Sequence, residues 1–256
     1  RNIPFSMIYG NHDDMNEITK KEQSDIYRRY PHFVGLYNDV EILKDETFNI
    51  PIYSQDGSKV KFNLWMLDSA WKNKEEDKCY SQVKPEAIEW YKKKSAELKE
   101  QNGGEPVPSL MFQHIPLVEM DDAWNEFKEN GYKDTKNFKY TEGIIAETGR
   151  QVCCGYGEDD LFEKMLELGS TKAMFNGHDH LNNVTFEYKG IQFSYGYSID
   201  YLAYSGIDEQ GYHRGCTIIT CAPNGDATIK HENYYQDKYA PLYEKEIVNL
   251  EPYKAE

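Results

Sequence analysis

The stretch Val83–Pro116, VKPEAIEWYKKKSAELKEQNGGEPVPSLMFQHIP, decides the fold class. Pro85 stands where the first turn of a helix tolerates a missing N–H, the apolar groups Val83, Ala87, Ile88 and Tyr91 mark one face, and Gly103-Gly104 ends the run. A helix is predicted there. PSLMFQHIP (108–116) then reads as a short apolar strand that empties onto His114, just before Pro116. On the other side, VKFNLWMLDS (60–69) reads as a strand ending in Asp68-Ser69. Strand, helix, strand is an α/β alternation.

Working outward, FNIPIY (48–53) and the strand from Val60 flank SQDGSK, which predicts a hairpin. FSMIY (5–9) reads as a buried strand whose carboxyl end delivers Asn11 to a loop, where open α/β layers place ligands. Residues 17–30 are polar and weakly helical up to Pro31, and DDAWNEFKENG (121–131) suggests a short helix. Residues 132–160 lack strong periodicity and read as an insertion rim. DLFEKMLELGS resumes a helical pattern with Gly169 as its terminator, and KAMFNGHDH (172–180) is strand and then motif. NNVTFEYKGIQFSYGY (182–197) and GCTIITCAPNGDATIKHENYY (215–235) contain β runs separated by turns, so a second sheet is expected toward the C-terminus.

With 256 residues there is chain for one large core. The 29 basic against 44 acidic side chains give a formal net charge of −15, a field that repels a phosphate backbone, so no nucleic-acid partner is expected. Bound divalent cations would still attract a small phosphate, because a local ion outweighs distant carboxylates. The five cysteines form no dense disulfide pattern and no CxxC pair. No apolar run approaches the roughly 20 residues of a membrane span, and the single N-x-T triplet, at Asn183, carries no weight by itself.

Three strand ends carry unusual polar groups: Asn11-His12-Asp13, His114, and His178-Asp179-His180. Imidazoles and an amide oxygen are good ligands for middle-row divalent ions. In GHDH the two histidines at i and i+2 share one side if the backbone is extended, whereas a tight loop aims them at neighbouring ions. Taken alone, His114 reads equally as a surface or core histidine, and Asn11 as a turn residue.

Gly10-Asn11-His12-Asp13, the strand-borne His114 and Gly177-His178-Asp179-His180 resemble, in order and spacing across nearly the whole chain, three successive motifs of the calcineurin-like metallophosphoesterase superfamily. Leu67-Asp68-Ser69 and Gly211-Tyr212-His213-Arg214-Gly215 are similar to the branch of small purple acid phosphatase-like proteins. The resemblance implies an α/β fold, a layered β-sandwich flanked by helices. It also implies hydrolysis of phosphate esters, first of all phosphomonoesters, by a hydroxide activated between two metal ions, with manganese, iron or zinc as candidates, divalent or mixed-valence. Asn11, His114 and His178 would bind one ion and His180 the other, while His12 would assist the leaving oxygen or the transition state and Asp13 would orient its imidazole. Tyr197, Asp200, Tyr201, Tyr204, His213 and Arg214 are substrate-rim candidates.

Two family motifs, an Asp-x-His and a Gly-Asp-x-x-Asp, should precede YGNHD and are absent from the sequence. The expectation is that residues 1–256 form the C-terminal major part of a single phosphoesterase domain that lacks its first strands. The missing segment or another chain would then cover a hydrophobic sheet edge near FSMIY. Asp68, Asp121, Asp122, Asp159 and Asp160 are not in the order of the family's carboxylates. The expected partner is a small phosphate ester or a phosphoprotein, and the resemblance favours a secreted, periplasmic or luminal setting. The rival readings are a cyclic-nucleotide or other phosphodiesterase, and a non-catalytic binding protein on a degenerate phosphoesterase fold.

Overall fold

The computed structural model describes residues 2–13, 15, 17–69, 80, 82–147, 149, 151–157, 159–200 and 215–232. The elements run α1 (Lys20–Tyr27), β1 (Phe48–Tyr53), β2 (Val60–Met66), α2 (Pro85–Gln101), β3 (Ser109–Phe112), α3 (Val118–Glu129), β4 (Phe138–Glu142), α4 (Leu161–Leu168), β5 (Thr171–Asn176), β6 (Thr185–Tyr188), β7 (Ile191–Tyr195), β8 (Cys216–Cys221) and β9 (Ala227–Glu232). The strands form a seven-stranded sheet of order β1-β2-β3-β5-β7-β6-β4 and a two-stranded sheet, β8-β9. The result is a mixed α/β fold in which helices flank a mainly parallel core. Because β2, β3, β5 and β7 pair in parallel, their carboxyl ends share one edge.

Side-chain alternation assigns the two faces of these strands. Trp65, Met111 and Met174 join Ala87, Ile88, Tyr91 and Leu98 of α2 and residues of α3 and α4 in the larger core. Leu110, Ala173 and Phe175 point the other way and pack with Phe62 against Ile219, Ala227 and Ile229 of the β8-β9 hairpin. The layers are therefore helices, the main sheet and a hairpin. A chain of buried hydroxyls fastens α2 to the sheet: the Trp65 indole N–H donates to Ser109 Oγ at 2.9 Å, Ser109 Oγ lies 3.2 Å from Thr171 Oγ1, and Thr171 Oγ1 lies 2.8 Å from the Tyr91 hydroxyl.

The predicted hairpin forms with β1 antiparallel to β2, α2 begins at Pro85, and α4 stops at Gly169, whose φ of 65° makes the left-handed cap. In α1, Thr19 and Glu22 complete a capping box, which gives a weakly patterned segment a defined start.

Three expectations need correction. FSMIY is not a strand: Phe5 makes one isolated parallel bridge to Phe33, and residues 6–10 have no ladder partner among the described residues. Its apolar groups serve local packing instead, with Phe5 edge-on to Phe33 and the buried Tyr9 hydroxyl donating to Lys20 O at 2.7 Å. The edge strands are β1 and β4, so the exposed Ile3 and Phe5 do not lie on a sheet edge. The supposed rim contains β4, which pairs antiparallel with β6 and is packed through Phe138, stacked between Phe127 and Phe186 at centroid distances of 4.6 and 4.7 Å, and through Tyr140, stacked on Phe127 at 5.7 Å. β6 and β7 extend the main sheet, and among the described strands only β8-β9 stands apart.

Asn183 is buried, and its side-chain oxygen accepts the Ile144 N–H at 2.7 Å. Among the described residues no helix is long and apolar enough to cross a membrane.

Replacing Trp65 with Ala removes the indole donor and its edge contacts with Trp90 and Tyr91. Urea unfolding at pH 7 should show a loss of about 3–5 kcal/mol. The exposed Ile52 of β1 is the control, and Ile52→Ala should change stability by less than about 0.5 kcal/mol.

Candidate active site

Strand direction builds the site. The residues after β2, β3, β5 and β7 leave the sheet at one edge, and the turn at Gly10–Asp13 meets them there. Asn11 is the meeting point. Its Oδ1 lies 2.8 Å from His114 Nε2 and 3.2 Å from His178 Nδ1, and the two rings sit edge to face at a centroid distance of 5.3 Å. An amide oxygen only accepts, so both ring nitrogens donate to it in this arrangement.

Close approach explains the glycines on either side. A Cβ on Gly10 would fall 2.9 Å from His114 Cε1, and one on Gly177 would fall 3.1 Å from His114 Nδ1. The imidazole is thus held between two bare backbones, and Gly177 N–H donates to His114 O at 3.1 Å. GHDH adopts the tight alternative: His178 has a φ of 71°, and Asp179 N–H donates to Gly177 O at 2.8 Å. The left-handed backbone of a non-glycine residue is a local strain. Buried contacts hold the turn, for the Asp179 carboxylate accepts the Cys153 N–H at 3.1 Å and the Tyr195 hydroxyl.

Burial pushes the His114 imidazole down to about 3, with repulsion from His178 and His180 adding to it. Burial also lowers His178. Both rings are neutral at ordinary pH, the state a metal ligand requires.

The other sequence candidates are placed as follows. His12 is exposed, with Nδ1 3.1 Å from Met15 Sδ. Asp13 Oδ2 accepts the Gly10 N–H at 2.5 Å, so its carboxylate closes the turn. His180 Nδ1 lies 3.1 Å from Asp200 Oδ2, which makes Asp200 a partner of that imidazole. The half-buried Tyr197 stacks on His231 at 4.3 Å. Tyr201, Tyr204, His213 and Arg214 lie outside the described residues. Tyr80, which no sequence signal singled out, accepts a hydrogen bond from Asn11 Nδ2 at 2.7 Å and stands edge-on to His178 at 4.9 Å.

The donor set suits a divalent ion in part. The spacings of Asn11 Oδ1 from the two ring nitrogens, 2.8 and 3.2 Å, are those of hydrogen bonds, and an ion would be held only with both rings in the other tautomer, their lone pairs turned toward it. Carboxylates are not in that set. Among the described residues no group of three or more His, Cys, Asp or Glu side chains gathers to hold a metal.

A largely half-buried ionic cluster gathers around the buried Asp68 at the end of β2. Lys20 Nζ pairs with Asp68 Oδ2 at 3.0 Å, and Lys84 Nζ lies 3.5 Å from Glu46 Oε2. Burial, then the neighbouring Asp68, raises Glu46 to about 7.

The chain is 25% identical over 235 residues to an Arabidopsis thaliana protein called probable inactive purple acid phosphatase 28, covering 85% of this chain and 54% of the relative. It is 26% identical over 232 residues to probable inactive purple acid phosphatase 29 of the same plant, covering 85% and 55%. The chain is a distant homologue of purple acid phosphatase-like proteins. An uncharacterized protein of Schizosaccharomyces pombe is 25% identical over 184 residues, 71% of this chain and 30% of that one. The chain spans about half the length of the plant relatives it matches. No family model matches the sequence, and no solved structure matches it.

A raised carboxyl pKa at Glu46 favours the fold most below the unfolded value of 4.5, and that contribution is lost as pH rises through about 7. Glu46→Gln removes the titration. Its stability relative to the parent should therefore be more favourable at pH 8 than at pH 5 in denaturant unfolding curves.

Proposed function

We propose that this chain carries the site of a calcineurin-like metallophosphoesterase and that the parent protein hydrolyses phosphate esters, phosphomonoesters first. One observation carries the reading: Asn11 Oδ1 meets two half-buried, neutral imidazoles, His114 and His178, at the carboxyl edge of parallel strands. The distant homology to purple acid phosphatase-like proteins supports it.

In this reading Asn11, His114 and His178 hold one divalent ion and His180 serves a second, with Asp200 fixing the His180 ring through Nδ1. Manganese, iron and zinc all suit imidazole and amide donors. A bound ion pair supplies Lewis-acid polarisation of the phosphoryl group and lowers the pKa of water. The protein's own part is to exclude like charge and place a proton. The neutral imidazoles bring no competing cations into the ligand set, and the exposed His12, next to Asn11 in the chain, protonates the leaving ester oxygen. The remaining carboxylate donors are assigned to polypeptide beyond the sequence given.

A second reading has its own support, since the gathered donors include no carboxylate and the plant relatives are themselves named probable inactive. It makes the chain a phosphate-binding module without turnover.

Manganese added to the 256-residue chain should bind weakly, and His114→Ala should abolish that binding in isothermal titration. Tight uptake of two ions would overturn the assignment of carboxylates to other polypeptide. In the longest natural form of the protein, His12→Ala should slow aryl phosphate turnover about 100-fold or more with an unchanged melting temperature. Phosphate binding with no turnover in that same parent form would favour the module.

A further inference from the structure

We infer that Tyr80 is the positioning residue that keeps the Asn11 amide oxygen turned toward His114 and His178. The inference deepens the hydrolase reading and rests on it, because it concerns how that site's oxygen donor is presented.

Three observations converge. The Asn11 side chain is almost fully buried, at 3% exposure, so each end of its amide needs a protein partner. The oxygen end faces the two imidazoles, and the nitrogen end donates to the Tyr80 hydroxyl at 2.7 Å. The Tyr80 ring also stands edge-on to His178 at 4.9 Å, so one side chain touches two members of the set. Its backbone is pinned as well, because Tyr156 N–H donates to Tyr80 O at 2.5 Å.

An amide has two nearly isosteric ends, and only its partners decide which one faces inward. With Phe at position 80 the ring wall against His178 remains but the hydroxyl goes, and the Asn11 NH2 is buried without an acceptor. That penalty falls on the orientation with the oxygen inward. The amide then turns or shifts, and a cation meets a poorer donor. Partners that orient a ligating group in this way commonly change metal affinity by about 10–100-fold.

The test compares the full 256-residue chain, Tyr80→Phe, Asn11→Ala and the double variant. Hydrogen exchange of the Asn11 side-chain NH2, read by NMR without metal, should quicken about tenfold in Tyr80→Phe while the melting temperature stays within a few degrees. Manganese chloride is then titrated, and paramagnetic broadening of the His114 and His178 ring signals is followed. Tyr80→Phe should need about tenfold more manganese for equal broadening, and should add nothing in the Asn11→Ala background. Unchanged exchange, or a loss that persists undiminished without Asn11, overturns the inference. If manganese broadens neither ring in any form, the metal reading of the site falls. The Asn11 exchange rates then decide the role of Tyr80 alone, a tenfold change upholding it and no change ending it.

Discussion

Two hydrogen bonds onto one amide oxygen join chain positions that are 103 and 167 residues apart. Such a junction exists only if the sheet has the right strand order, because β3 and β5 must lie side by side and point the same way for His114 and His178 to leave it together. The constraint then propagates. His114 can sit under Asn11 only where Gly10 and Gly177 leave room, and His178 can turn inward only through a left-handed backbone that Asp179 and its buried partners hold. Packing, backbone freedom and hydrogen bonding agree on one placement, which is how a functional cluster survives in an otherwise ordinary α/β layer.

Electrostatics gives the cluster a particular character. The chain as a whole carries a formal charge of −15, and burial keeps its central imidazoles uncharged. By themselves these rings offer an incoming phosphate no cationic welcome. In the hydrolase reading, attraction for the ester arrives with the ions, so affinity for substrate and loading with metal are one property.

Much of this was readable in the residues. The Pro85 start, the apolar face of α2 and the strand exits at Asp68, His114 and Gly177 are strong local signals, and they located the carboxyl edge where the histidines gather. FSMIY was misleading because an apolar aromatic run has the same look whether it joins a ladder or packs on neighbouring loops; here Phe5 and Tyr9 do the latter. β4 escaped notice because only Phe138 and the half-buried Tyr140 alternate onto the core, two residues too few to stand out as a period in a polar segment, while its ladder to the distant β6 leaves no local mark. Tyr80 left no trace in the pattern at all. A tyrosine that works by touching Asn11, 69 positions away, has no local signature to read.

The burial of Asn183 has a consequence for any form of this protein made in a compartment that attaches sugars. Its side chain is locked onto Ile144, and its carbonyl lies where Gly143 leaves no space for even a methyl group. An oligosaccharide there is incompatible with the finished structure, so transfer could succeed only on a nascent chain, ahead of closure of that corner. A chain carrying carbohydrate at this asparagine could not close that corner as the structure shows it.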